Sequence, residues 1–344
     1  MKALPIQPVA FAVASLLTAT CLATNSTNAL HRPVLNVWIE NDLVVRTDQH
    51  YTHGTRIAYL AQEHSLLESE LRWDGDLARW LPSFGMIPTA WRPAFAVTQN
   101  IYTPRDTDIP TVLVDERPYA GWLYATGSLL IRGKTKAGTD VLDYWALNLG
   151  VVGPASLAEE AQNGIHSIRD LDEAQGWDNQ LRNEPDIGIR YGRGLRYSAP
   201  IRGDWSSDFL PFGGIQLGTV QTFASIGTQW RIGLRLPDDF GWRSIDDVLP
   251  GSGGRLDAEQ SVRGFYFFFG VEARYYGHNT LVEGNLLHDS HSVQIQPLLG
   301  EFKIGVVYSG KHWDLAYTHM VRSKEFRTQE DADSFGSVSV AFKW

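Results

Sequence analysis

The sequence predicts an all-β protein, a transmembrane antiparallel β-barrel of about 12 strands with a short helix in an extracellular connection. Three observations carry this prediction: a secretory start, a C-terminal segment that alternates strictly, and an unusual composition. The 344 residues include 12 Trp, 13 Tyr, 15 Phe and 32 Gly, yet the mean hydropathy is −0.20. An apolar outer band averaged with a polar interior gives such a mean.

The N-terminus has the pattern of a secretory signal. A basic start precedes the nearly uncharged residues 9–23 and a small-residue site ending at Ala29. We therefore expect a signal peptide over 1–29 and a barrel over 30–344. Cys21 is the only cysteine, so the exported chain would contain no disulfide. Cleavage after Ala23 and lipoprotein processing at Cys21 are the alternatives.

Charge and hydropathy exclude two classes of protein. No stretch outside the signal is apolar for the roughly 18 residues that a membrane-spanning helix needs, which excludes a helical membrane protein. The net charge of −9 argues against nucleic acid as a partner. The basic residues are 23 Arg and only 7 Lys. Arginine binds phosphate bidentately, so the bias indicates either a phosphorylated ligand or a GC-rich genome.

The C-terminal segment reads as a strand with one apolar face. Val338, Val340, Phe342 and Trp344 alternate with small or polar residues, and the sequence ends on the aromatic. A terminal strand of this kind resembles the signal by which outer-membrane barrels are recognised for insertion. An edge strand of a soluble sheet is the alternative.

Similar segments recur along the whole chain. We predict strands near 33–46, 51–62, 92–103, 118–132, 140–153, 184–197, 208–222, 225–236, 263–277, 298–309, 312–322 and 335–344. Even strand numbers are the rule in bacterial barrels. With both termini in the periplasm, the extracellular connections fall near 47–50, 104–117, 154–183, 223–224, 278–297 and 323–334. The motifs below lie in or beside the first three.

The first motif joins strand one to the start of strand two. Asn41 shares the parity of the apolar, lipid-facing residues, while Glu40 and Asp42 should point into the lumen. A polar amide in a lipid-facing row is costly unless it lies at the rim or finds partners. Thr52 follows within the segment 47–54. Ordinary polar filling of the lumen is the alternative interpretation.

The second motif combines residues 99–104 with 115–122. Arg117, fixed beside a proline, is a candidate phosphate clamp and substrate-binding residue, although a salt bridge to Asp115 or Glu116 would explain it equally. Tyr119 is a second candidate for substrate binding. Tyr119 and Trp122 could instead belong to the outer aromatic girdle.

The third motif lies in the long connection after strand five. Ser156 followed by Glu159 fits a capping box and predicts a helix over Ala155–Ile165. Gln162, a candidate substrate-binding residue, and His166 are four residues apart and so share a face of that helix. A lone histidine on a surface helix is usually inert, and its expected place over the rim is what makes His166 a candidate.

No Gly-x-Ser-x-Gly elbow and no His-Glu-x-x-His helix occurs in the sequence, so an activated serine is unsupported. A histidine acting as general base on water needs only an imidazole and a hard cation held by oxygen ligands. Candidate oxygen donors are Glu40, Asn41, Asp42, Asp48 and Thr52.

As a set, these motifs resemble the family of outer-membrane lipid A 3′-O-deacylases (LpxR-type). The resemblance covers nearly the whole exported chain, in order. Its matching pieces are Glu40-Asn41-Asp42, Thr47-Asp48-x-x-Tyr51-Thr52-x-Gly54, Gln99-x-Ile101-Tyr102-Thr103-Pro104, Asp115-x-Arg117-Pro118-Tyr119-Ala120-Gly121-Trp122, Gly153-Pro154-Ala155-Ser156, Gln162-x-x-x-His166, Gly176-Trp177-Asp178-Asn179-Gln180 and Asn183-Glu184-Pro185.

The resemblance implies a twelve-stranded barrel in the bacterial outer membrane that hydrolyses the 3′-acyloxyacyl ester of lipid A, the lipid anchor of lipopolysaccharide, with Ca²⁺. The family's catalytic groups fall on His166, Asn41, Asp42 and Thr52. By analogy His166 would activate water, and calcium near Asp42 and Thr52, with Glu40 as a further candidate ligand, would polarise the ester carbonyl. A passive or structural barrel and a hydrolase of another outer-leaflet lipid are the alternatives.

Overall fold

The computed structural model describes residues 32–41, 50–66, 73–168, 172–241, 244–245, 247 and 263–344. Within them one antiparallel sheet closes on itself. Consecutive strands pair from β3 to β13, β1 pairs with both β2 and β13, and β2 pairs with β4. The strands are β1 (Val34–Asn41), β2 (His50–Leu60), β3 (His64–Ser65), β4 (Ile87–Thr103), β5 (Ala120–Lys134), β6 (Asp140–Val152), β7 (Glu184–Arg202), β8 (Trp205–Gly218), β9 (Gln221–Leu234), β10 (Gly264–Asn279), β11 (Leu298–Ser309), β12 (Trp313–Arg322) and β13 (Asp333–Lys343). The short β3 continues β2 along β4, so the wall is a closed barrel of 12 strands, as predicted.

Each predicted strand coincides with an observed one, with differences at the ends. β9 begins at Gln221 rather than 225, because the Thr222 hydroxyl accepts a hydrogen bond from Gly218 N and ties β8 to β9 across a short turn. β7 continues past its predicted end to Arg202, and β8 begins earlier than predicted, at Trp205, so the two meet at a turn that contains Gly203, where φ is 58°. The signal segment 1–29 lies outside the described residues, as do residues 42–49 after β1.

The two faces of the wall differ as the alternation predicts. Outward side chains are apolar and exposed, for example Phe95, Val97, Ile187 and Ile226. Trp344, after β13, stacks on Tyr59 of β2, so this ring contact reaches across β1, which lies between the two strands. An outward apolar band is what a bilayer requires of a membrane barrel.

Charged side chains and a folded-in connection fill the lumen. Glu301 accepts from Arg322 at 2.8 Å and lies 2.7 Å from Lys303 Nζ. The connection between β9 and β10 starts at the end of the barrel that carries the chain termini and enters the lumen. There Ile245 N donates to Glu40 Oε1 at 2.8 Å, and Asp247 pairs with Lys303. Phe240 and Ile245 join the buried apolar cluster inside the wall.

Three α-helices lie in the described parts of the connections: α1 (Trp73–Trp80), α2 (Ala158–Ile168) and α3 (Thr280–Glu283). Among the residues described, none of the helices is long and apolar enough to cross a membrane. The predicted extracellular helix exists as α2, but the capping box is wrong. Ser156 lies in a 3-10 turn, Pro154–Ser156, and Leu157 then adopts φ 58° and accepts the first helical hydrogen bond from Ala161 N.

Candidate active site

A row of four residues crosses the lipid-facing side of the wall near the outer rim. This rim is the end of the barrel where β1 ends and β2 begins, and its described connections are 104–119, 153–168, 172–183, 219–220, 280–297 and 323–332. Asn41 pairs with His53, His53 with Ile101, and Ile101 with Gly121. Directly paired residues share a face, and neighbouring strands are about 4.8 Å apart, so the row spans about 14 Å. Two of its members are polar, where a lipid-facing row is normally apolar.

A β-bulge turns Thr52 into this row. Tyr51 pairs with Tyr102 and His53 with Ile101, which leaves Thr52 as the extra residue. Asn41 Nδ2 donates to the Thr52 carbonyl at 2.9 Å, and the hydroxyls of Thr52 and Thr103 are 2.7 Å apart. Bulges commonly re-aim a side chain beside a functional site. Here the result is two buried hydroxyls on the lipid-facing side.

The connection between β6 and β7 covers the row from outside the barrel. Ala158 of α2, with Ala174 and Trp177 further along, packs in one cluster with the outward Ile101 and with Tyr119. The neighbouring Trp122 lies in a different cluster inside the wall and donates to Asp186 Oδ2 at 2.9 Å. The possibility that Trp122 belongs to the outer girdle is therefore wrong.

α2 presents Gln162 and His166 on its buried side, with 2% and 5% of each residue exposed. Gln162 Oε1 accepts from Trp177 Nε1 at 2.9 Å, while its buried Nε2 has no partner among the described residues. His166 Nδ1 lies 2.5 Å from the carbonyl oxygen of Asp172. A carbonyl only accepts hydrogen bonds, so Nδ1 carries the proton and Nε2 of a neutral ring keeps its lone pair.

Two candidate residues lie on the lumen side of the wall, away from Thr52. Glu40 is held by Ile245 N and by Tyr51 Oη. Alternation along β1 places Glu40 on the opposite face from Asn41, and its role as a metal ligand stays a prediction. Arg117 is fully buried and pairs with Glu325 at 2.6 Å. This favours the ion-pair interpretation over a phosphate clamp, with Glu325 in place of the expected Asp115 or Glu116.

Of the remaining candidates, one is a packing residue and two lie outside the described residues. Tyr119 is buried, its ring 5.0 Å from that of Trp177, so it holds the covering connection rather than forming an exposed girdle. Asp42 and Asp48 lie outside the described residues. Sequence reasoning gave no role to Gln99 and Thr103. The sequence contains a pattern that could have identified them. Both alternate in step with the outward Phe95 and Val97 on β4, and yet both are polar.

The fold and the position of this row define a membrane β-barrel whose polar site lies on its bilayer-facing wall. A family model described as "Outer membrane protein LpxR" matches residues 10–344. The chain therefore belongs to the LpxR family of outer-membrane proteins, and its place is the bacterial outer membrane.

A solved structure agrees with this fold. LpxR from Salmonella typhimurium superposes with a TM-score of 0.71 at 17% identity, over 90% of this chain and 100% of that chain. The beta domain of the Bordetella autotransporter BrkA gives a TM-score of 0.47 at 9% identity, over 92% and 100%. The comparison with curated proteins found no match.

Proposed function

We propose that this protein is a carboxylic ester hydrolase that removes the 3′-acyloxyacyl group of lipid A in the outer leaflet. The observation that carries the proposal is a group of polar side chains on the lipid-facing side of the wall, Asn41 with the buried Thr52 and Thr103. A bilayer lipid reaches that side by lateral diffusion without leaving the membrane. Asn41, Thr52 and Thr103 hydrogen-bond among themselves there, and this places an amide and two hydroxyls where the polar part of a lipid can meet them.

In this proposal His166 is the general base. Its Nδ1 proton is held by the Asp172 carbonyl, so Nε2 is the nitrogen that can take a proton from water. Gln162, one turn earlier on α2, brings a buried N–H donor without a described partner. That donor suits an ester oxygen or a sugar hydroxyl of the substrate.

Calcium is the proposed cofactor. Hard cations prefer oxygen ligands, and Asn41 and Thr52 bring neutral oxygens to the site. Among the described residues no group of three or more His, Cys, Asp or Glu side chains could hold a metal. In this proposal the negative charge comes from Asp42, which follows Asn41 in the sequence and lies outside those residues. Bound there, calcium would supply positive charge for the carbonyl oxygen of the ester.

The lumen counts against the alternative of a passive channel. Phe240, Ile245 and the Lys303–Asp247 ion pair lie inside the wall, where a channel needs water. Hydrolysis of another outer-leaflet lipid would use the same lateral approach, so the experiment has to separate the two substrates.

The test is mass spectrometry of lipid A and total phospholipid from a lipid-A-bearing bacterium that expresses the wild type, His166→Ala, Asp42→Asn or the control His312→Ala. His312 lies in the exposed turn between β11 and β12, at the opposite rim. We expect the 3′-acyloxyacyl mass to be lost with wild type and His312→Ala, and retained with His166→Ala.

Asp42→Asn should retain the acyloxyacyl mass as well, and chelation of calcium in membranes that contain wild type should have the same effect. Deacylated phospholipid with intact lipid A would transfer the activity to another lipid. Unchanged lipids, with the barrel folded in the outer membrane, would refute the proposal.

A further inference from the structure

We infer that Gly121 is a positioning residue, and that its missing side chain creates the seat on which the His166-bearing connection docks against the barrel wall. The inference rests on the proposed function for its catalytic consequence. The docking itself is a separate, measurable property of the fold.

The contact at Gly121 leaves no room for a side chain. A Cβ at this position would overlap Ser156 Oγ and Ala158 Cβ, and would lie 3.2 Å from Ser156 Cβ. Ser156 is fully buried and Ala158 is the first residue of α2. Glycine is the residue that permits such a close approach of backbone to a neighbouring segment.

Hydrogen bonds pin the same segment to the wall. Gly153 N donates to the Gly121 carbonyl at 2.9 Å, and Gln99 Nε2, which points outward from β4, donates to the Ser156 carbonyl at 2.7 Å. An amide on the lipid-facing side of a strand is costly without a partner. Gln99 therefore acts as the second anchor of the seat.

The seat controls the position of His166 through the helix. α2 rises about 1.5 Å per residue, so a shift at Ala158 moves a rigid helix whose His166 lies about 12 Å further along. An added methyl group would lie 2.3 Å from Ala158 Cβ, whereas ordinary contact begins at 3.4 Å, so it must displace the segment outward by roughly 1 Å. Misplacement of a catalytic group by that amount costs about 100-fold in rate.

The chain offers a matched control on the same strand and face. Gly127 lies six residues from Gly121 on β5, so it has the same parity, and a Cβ there would meet nothing within 4 Å. We expect Gly121→Ala to lower kcat on lipid A by about 10- to 100-fold, with KM changed less than about threefold. Gly127→Ala should match the wild type.

A second measurement does not depend on activity. Ala174 belongs to the connection and is buried in the cluster between it and the wall. It is replaced by cysteine, and the rate at which maleimide labels this cysteine is measured in detergent. The only native cysteine, Cys21, lies in the predicted signal peptide. We expect slow labelling in the Ala174→Cys protein and with Gly127→Ala, and labelling several-fold faster with Gly121→Ala or Gln99→Leu.

The labelling rate and kcat together distinguish the seat at Gly121 from the proposed function. Faster labelling in Gly121→Ala, with a wild type that leaves lipid A intact, would uphold the seat and refute the proposed function. Wild-type labelling and wild-type kcat in Gly121→Ala would overturn the seat. If Gly121→Ala does not reach the folded barrel, Gln99→Leu decides by the same labelling, and an unchanged rate there overturns the inference.

Discussion

His50 is held between two carboxylates at the mouth of the barrel. It begins β2 in a left-handed conformation with φ of 65°. Its Nδ1 lies 2.6 Å from Asp333 Oδ1 and its Nε2 3.2 Å from Glu116 Oε2. Glu116 belongs to the connection between β4 and β5, outside the membrane-spanning strands. Burial opposes its ionisation, but the hydrogen bond and charge of His50 outweigh burial, so the pKa of Glu116 lies below its ordinary value.

This contact should stabilise the mouth at neutral pH and be lost in acid. A carboxyl group with a lowered folded pKa contributes stability above its unfolded pKa, about 4.3, and loses it as the pH falls through the folded value. Glu116→Gln should lower stability at neutral pH by about 1–3 kcal/mol. Between neutral pH and about pH 3.5 its Tm should fall less than that of the wild type. Thermal unfolding in detergent measures both, and equal pH dependence would contradict the assignment.

For single residues, the alternation of the sequence predicts which face of the wall a side chain occupies, but it does not predict which residue that side chain pairs with. The lipid-facing position of Asn41 and the lumen position of Glu40 follow from a period of two. Arg117 pairs with Glu325, 208 positions away in sequence. Nothing local in the sequence distinguishes that partner from Asp115 or Glu116, because the choice is made by which connections meet over the mouth.

Among the elements, α2 depends on an unusual residue at its start. Leu157 has φ 58° and ψ 29°, a conformation that costs a non-glycine residue about 1–2 kcal/mol and that β-branched residues tolerate least. We expect Leu157→Val to destabilise the connection by about 1–2 kcal/mol, and Leu157→Asn to be tolerated, since asparagine adopts this conformation more readily. Thermal unfolding and Ala174→Cys labelling provide the measurement. Equal behaviour of the two variants would show that the backbone conformation is not limiting.

The contacts at the start of α2 explain why the sequence predicted the strands better than the start of this helix. Each of the 12 strands of the wall is set by an alternation that repeats over eight or more residues, so an error affects only its ends. The start of α2 depends on contacts of Ser156 with Gly121 and Gln99 of other strands. The local capping pattern of Ser156 and Glu159 favours a different helix start, but the contacts with the wall place Ser156 in the 3-10 turn before α2.

For the whole molecule, the filled lumen predicts a barrel that does not conduct. Arg231 pairs with Asp208 and with Asp239 of the folded-in connection, and Arg190 donates to the Asp247 carbonyl at 3.2 Å. These contacts fix the connection inside the wall, since separating one partner from a buried ion pair costs about 3–5 kcal/mol. We therefore expect no steady conductance when the purified protein is inserted into a planar bilayer.

A variant with residues 236–262 replaced by a short Asn-Gly turn is the control for that measurement. It removes Phe240, Ile245 and Asp247 from the lumen, and leaves Lys303 and Arg231 to be solvated by the water that enters. We expect this variant to conduct while the wild type does not. A steady open state in the wild type would contradict the sealed lumen and favour the passive-channel alternative. Because the proposed site lies on the opposite face of the wall, the opened barrel should still deacylate lipid A as long as the seat at Gly121 is intact.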